Sequence, residues 1–137
     1  MTEVETILKM LEDAESDNDE VNARIWCFEH NYRLLNFNPD SPMVDYDGVC
    51  VTYPYSVYHY HKIELPKYTT SFNAAMSIGA EELEGFLVRN HQLKNGEYEY
   101  WLQEKDGPWH TSILHTKDLP RAIACACLQA LEYVRGL

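Results

Sequence analysis

Apolar positions in the first part of the chain recur at helical spacing. Val4, Ile7, Leu8 and Leu11 follow the i, i+3, i+4, i+7 rule, and Thr2 with Glu5 makes a capping box, so residues 2–14 are expected to form a short amphipathic helix. After a charged break, Asp17 with Glu20 reads as the cap of a second helix reaching to about residue 34. Its apolar row is Val21, Ile25, Phe28 and Tyr32, widened by Trp26 and Cys27. Residues 36–67 lose this period: Asn38-Pro39-Asp40-Ser41-Pro42 and residues 45–48 are turn chemistry, with one short strand suggested at 49–53. Helical period returns over 69–83, where Phe72, Ala75, Met76, Gly79 and Leu83 share a stripe behind a Thr70 or Ser71 cap.

Residues 85–103 then read as two strands joined by Asn95-Gly96, the strongest short-range hairpin signal. A two-residue type I′ turn would set Leu93 opposite Tyr98, His91 opposite Tyr100 and Arg89 opposite Leu102. The expected inner face is therefore Leu87, Arg89, His91, Leu93, Tyr98, Tyr100 and Leu102, with Val88, Glu99 and Trp101 on the wetter side. Asp106-Gly107-Pro108 makes a further turn, and residues 109–115 suggest a third strand. Asp118 caps a last helix with Pro120 in its first turn. Leu119, Ala122, Ile123, Ala126, Cys127, Ala130, Tyr133 and Val134 cover its inner side, and Arg121, Gln129, Glu132 and Arg135 its outer side. The fold class expected is α+β: a three- to four-stranded antiparallel meander covered by helices. It would be one domain over residues 1–137, with the acidic helix of residues 1–19 loosely attached.

Composition changes this picture in three respects. The four cysteines form no disulfide framework, since Cys125 and Cys127 stand two apart on a helix and point to nearly opposite sides. That predicts a reducing, cytoplasmic setting. No charged-then-apolar leader and no long apolar run is seen, so no membrane segment is expected. The net charge of −11 is concentrated at the start, where residues 1–20 hold eight acids against one base. This argues against direct nucleic-acid binding through phosphates, which needs clustered Lys and Arg.

Candidate chemistry is sparse. His59 and His61 could share one strand face, but their spacing supplies no third ligand, so no metal is expected. Arg89 and His91 on the expected inner face, with Tyr98 and Tyr100 beside them, are the candidate site for a nucleotide or other small anion; the alternative is that they reach solvent at the sheet edge or pair with Glu64 or Glu84. Tyr53, Tyr55, Tyr58 and Tyr60, together with Trp101 and Trp109, are the candidate partner-binding surface. No GxSxG, HExxH or phosphate-cradling glycine loop occurs, so no catalytic residue and no cofactor is assigned. Gly107-Pro108-Trp109-His110 resembles the GPxH loop of double-stranded-RNA-binding domains. Here, though, it precedes the third strand rather than the second, and the last helix lacks a Lys-rich start.

Three blocks in order resemble one family. Residues 66–76, PKYTTSFNAAM, are similar to the "YTxSxDAA" block of small phage and prophage proteins, the phage ABA sandwich domain family. Residues 119–131, LPRAIACACLQAL, resemble its Ala/Cys-rich closing helix, and Val21-Asn22-Ala23-Arg24-Ile25 its "LDARIA" helix. Asn73 stands where an acid is usual, and the Tyr/His-rich segment 53–61 has no counterpart in the pattern. The resemblance implies an α/β/α sandwich and a phage or prophage origin, and carries over no catalytic residue. The function expected is a small non-catalytic accessory protein that binds a host or phage protein. A small-ligand pocket is the alternative, and a homo-oligomer is compatible with either.

Overall fold

The computed structural model describes residues 2–13, 16, 18–31, 33–37, 43–44, 49–52 and 63–136, the first four short strands through their backbone alone. They fall into two compact units, Met1–Lys67 and Tyr68–Leu137, where length alone suggests one domain.

In the first unit, α1 (Glu3–Glu12) and α2 (Asn18–Glu29) precede β1 (Arg33–Phe37), β2 (Met43–Val44), β3 (Val49–Thr52) and β4 (Ile63–Glu64). The capping box forms: the Thr2 hydroxyl accepts the Glu5 N–H at 3.1 Å, and the Glu5 carboxylate accepts the Thr2 N–H at 3.4 Å. Val4, Ile7 and Leu11 are buried and α1 packs on α2. Arg24 of α2 reaches Glu3 at 3.2 Å and Glu20 at 3.8 Å, so the acidic helix is docked rather than loosely attached. The Asp17 cap lies outside the described residues.

α2 ends at Glu29 instead of near residue 34, because Asn31 takes φ 62°, the left-handed conformation with which Asn stops helices. The chain then enters β1, which pairs antiparallel with β3 through an irregularity between Leu34 and Asn36. β2 and β4 form a second short antiparallel pair. Of these four strands, only β3 was anticipated by the pattern.

The second unit holds α3 (Phe72–Met76), β5 (Phe86–Gln92), β6 (Tyr98–Glu104) and α4 (Leu119–Val134). The Ser71 hydroxyl caps α3 by accepting the Ala74 N–H at 3.2 Å. The helix is much shorter than residues 69–83, giving way to successive turns in which Gly79 has φ 58°. Gly79 also lies against α4: a Cβ there would stand 3.0 Å from Leu131 Cδ1.

The hairpin forms with its register shifted by one residue. Arg89 pairs with Trp101, His91 with Glu99, Asn90 with Tyr100 and Gln92 with Tyr98. The loop holds three residues: the Gly96 N–H bonds the Leu93 carbonyl at 2.9 Å, and the Leu93 N–H bonds that of Glu97 at 2.8 Å. Gly96 has φ 91°, whereas Asn31 is the one described non-glycine residue with positive φ, so Asn95 cannot supply the first left-handed position of a type I′ turn. The result is a type I turn closed by a left-handed glycine, buttressed by Asn95, whose Oδ1 accepts the Glu97 N–H at 2.9 Å. Tyr100 and Leu102 still face the core, as expected. Their β5 partners are Asn90 and Val88, so Arg89 and His91 lie on the opposite face.

Among the described residues, 109–115 form no strand. The segment bridges β6 antiparallel only at Gln103–His110 and Tyr98–Thr116. Thr111 explains the interruption: its N–H bonds the Leu102 carbonyl at 2.9 Å, but its buried hydroxyl, not its carbonyl, accepts the Leu102 N–H at 3.0 Å. Gln129 of α4 pins the next residue, its Oε1 accepting both the N–H and the hydroxyl of Ser112 at 2.9 Å.

α4 packs on β6 and α3, and from Arg121 to Leu128 every residue is buried. Ala122, Ala124 and Ala126 supply small side chains for close approach. Arg121, expected on the outer side, is only 6% exposed, with the Asp118 carboxylate at 3.5 Å. Tyr133 and Val134, expected inside, are exposed at the helix end. The class is α+β with antiparallel strand pairs. Among the described residues, no helix is long and apolar enough to cross a membrane.

Candidate functional site

The shifted register assembles a mixed face on the side of the hairpin away from Tyr100 and Leu102. β5 contributes Leu87, Arg89 and His91; β6 contributes Gln103, Trp101 and Glu99 as their cross-strand partners. Directly paired residues hold their Cβ atoms about 4.5–5.5 Å apart, so Arg89 lies beside Trp101 and His91 beside Glu99. His115, from the segment flanking β6, donates from Nε2 to Glu99 Oε2 at 2.9 Å. His110, paired with Gln103, donates from Nδ1 to the Thr111 carbonyl at 2.9 Å. Leu87, Arg89, His91, His110 and His115 are exposed and Trp101 is half-buried. The face thus carries a guanidinium, three imidazoles, an indole and one carboxylate.

The candidate anion residues do not come together. Arg89 and His91 are on this outer face, whereas Tyr100 is buried and Tyr98 half-buried on the inner one. The Tyr100 hydroxyl donates to Met76 Sδ at 3.5 Å, and burial, with the nearby Cys127 thiol adding to it, pushes its pKa up to about 12. It belongs to the core.

The candidate partner residues are also separated. Trp101 lies on the outer face. Trp109 lies behind the hairpin, stacked on Tyr133 with ring centroids 4.0 Å apart and planes 10° off parallel, and meeting Phe86 edge-on at 6.0 Å. The Tyr133 hydroxyl donates to Glu104 Oε2 at 2.8 Å, and this bond to a carboxylate raises its pKa. Tyr53, Tyr55, Tyr58 and Tyr60, with His59 and His61, lie outside the described residues.

The His115–Glu99 pair and the Trp109–Tyr133 stack carry no signal in the sequence: each joins residues far apart through the path of the segment after β6. Two other described side chains with chemical potential, Cys27 and His30, are held in packing. Cys27 is buried, which lifts its thiol pKa to about 12, with Glu3 adding to the effect. His30 stacks on Trp26 at 4.4 Å with its Nδ1 against the Trp26 carbonyl. Among the described residues, no group of three or more His, Cys, Asp or Glu is placed to hold a metal ion. The outer face offers recognition chemistry, a cation beside an aromatic ring with flanking donors, and no paired nucleophile and base. No family model matches the chain, and no curated protein or solved structure matches it.

Proposed function

We propose that this chain is a non-catalytic protein-binding module whose contact surface is the outer hairpin face. The observation that carries this reading is the cross-strand pairing of exposed Arg89 with Trp101 on a face turned away from the buried Tyr100 and Leu102. Arg and Trp are the side chains most enriched among residues that dominate binding energy, and here they are neighbours. The partner is a host or phage protein in the host cytoplasm, and the chain an accessory protein of a phage or prophage. The order of the three family-like sequence blocks supports that origin. The same reading takes the whole fold as an α/β/α sandwich on a three- to four-stranded meander. It is supported by α4 packing on β6 and by the two bridges that residues 109–116 make to β6.

The test is affinity capture from phage-infected host lysate followed by cross-linking mass spectrometry, with Trp101→Ala and Arg89→Ala alongside the natural chain. Cross-links are expected within residues 87–103. Each variant, with its circular dichroism unchanged, should lose the partner by about 30-fold, as removal of a dominant contact does. A partner retained at full strength by both variants would remove this face from consideration.

A further inference from the structure

One edge of β5 is unpaired among the described residues, where β5 pairs with β6 alone. Two bonds fix the phase of that ladder: Lys105 N–H to the Gly85 carbonyl at 3.2 Å, and Leu93 N–H to the Glu97 carbonyl at 2.8 Å. Antiparallel ladders alternate, so Leu87, Arg89 and His91 aim their backbone groups at β6, while Val88, Asn90 and Gln92 aim theirs outward. The Phe86 N–H agrees, turning away from β6 to the Leu83 carbonyl at 3.1 Å. The strand has seven residues in continuous register, and those from Leu87 to Gln92 are all exposed. Proline, lysine and bulges, which ordinarily blunt an edge, are all missing from it.

The side chains indicate what would pair there. β5 carries Arg89 and His91 on its outer face and no acidic residue. On its inner face Val88, 48% exposed, extends past the buried Leu102. Self-pairing is opposed by charge: the two-fold register that uses all seven residues sets Arg89 directly against its own copy. An incoming strand with acids beside Arg89 and His91 and an apolar residue beside Val88 complements both faces at once.

Resting on the binding-module reading, we infer that the outward edge of β5 takes up an extended segment of the partner protein as an added strand, one in which acidic side chains occupy alternate positions. Backbone bonds to Val88, Asn90 and Gln92 hold the segment, and Arg89 and His91 select its charge.

The experiment selects a random displayed peptide library on the full-length chain, then measures the selected peptides by fluorescence anisotropy and amide exchange. Enriched peptides are expected to carry acids at alternate positions and to protect the Val88, Asn90 and Gln92 amides. Asn90→Pro removes an outward N–H without touching the β6 ladder and should weaken them about tenfold or more. Arg89→Glu, an exposed change that leaves the backbone intact, should reverse the preference toward basic peptides and decides the matter should the proline variant unfold. Peptides without the acidic pattern, or indifferent to both variants, overturn the edge assignment and leave the binding-module reading standing. A library yielding no binder overturns it too, and the Trp101 capture then judges the broader reading alone. A dimer in sedimentation velocity that Asn90→Pro abolishes would give the edge to a second copy, against the inference.

Discussion

Replacing Gly79 by alanine isolates a single backbone requirement of the second unit. Gly79 has φ 58°, and a residue bearing a Cβ pays about 1–2 kcal/mol there because the Cβ crowds the following carbonyl. The added methyl also meets α4 at 3.0 Å from Leu131 Cδ1 and 3.4 Å from Cδ2, and stands 3.5 Å from Leu83 Cδ1. Leu131 is fully buried, but these are side-chain ends that can shift by a few tenths of an ångström, which limits the overpacking to about 1 kcal/mol. The combined loss is about 2–3 kcal/mol. Gly85, in the same stretch, is the control: it is outside the left-handed region and no heavy atom lies within 4 Å of its would-be Cβ. Gly85→Ala should be neutral, or stabilising by up to about 1 kcal/mol through the unfolded chain. Urea unfolding followed by tryptophan fluorescence reads both. At a slope of about 2 kcal/mol per molar, the Gly79→Ala midpoint falls by about 1 M or more relative to the Gly85→Ala midpoint. Coincident midpoints would refute the argument that this turn needs a left-handed glycine.

Three further outcomes follow from other contacts. Thr111→Val keeps the side-chain shape but strips the acceptor from the buried Leu102 N–H, and should cost about 1–3 kcal/mol in urea unfolding with faster exchange at Leu102. Site-resolved alkylation should find Cys27 unreactive in the folded chain at neutral pH and reactive in urea, since burial holds its pKa near 12. The hydrogen bond from Arg135 holds the Glu82 carboxyl below its ordinary 4.5, so its stabilisation is present above that value and is lost as pH falls through the lower folded value. With Glu82 42% exposed the effect is screened to about 0.5 kcal/mol, and Glu82→Gln should flatten that part of the acid limb in pH-resolved unfolding.

How much was legible depended on whether a feature was decided locally. The Thr2–Glu5 box, the Ser71 cap and the existence of a hairpin at Asn95-Gly96 are satisfied within a few residues, and all three form. The register turned on whether Asn95 joined Gly96 in the left-handed region, which decides between a two- and a three-residue loop and so moves Arg89 and His91 to the other face. α2 and α3 both stop short of their apolar stripes, and each is followed within three residues by a left-handed one. Left-handed Asn31 follows the end of α2 at Glu29, and left-handed Gly79 sits in the turns after Met76. Each residue type could have warned of it, since Asn and Gly are the usual stops. The burial of Arg121 was not legible, because it depends on α4 being surrounded rather than covered on one side. The candidate site divided in the same way: Trp101 and Arg89 were singled out by type, but their adjacency belongs to the register.

The two strands of the hairpin differ in what a change of sequence would cost. β6 sets Tyr100 and Leu102 in the core against α4 and leaves no position fully exposed, so changes there answer to packing. β5 places nothing from Leu87 to Gln92 in the core, and exposed substitutions of that kind usually move stability by no more than about 0.5 kcal/mol. On the proposed reading, recognition would thereby be uncoupled from folding. A lineage, or a designer's library randomised at Leu87, Arg89 and His91, can rewrite what this strand reads while the domain behind it stays the same.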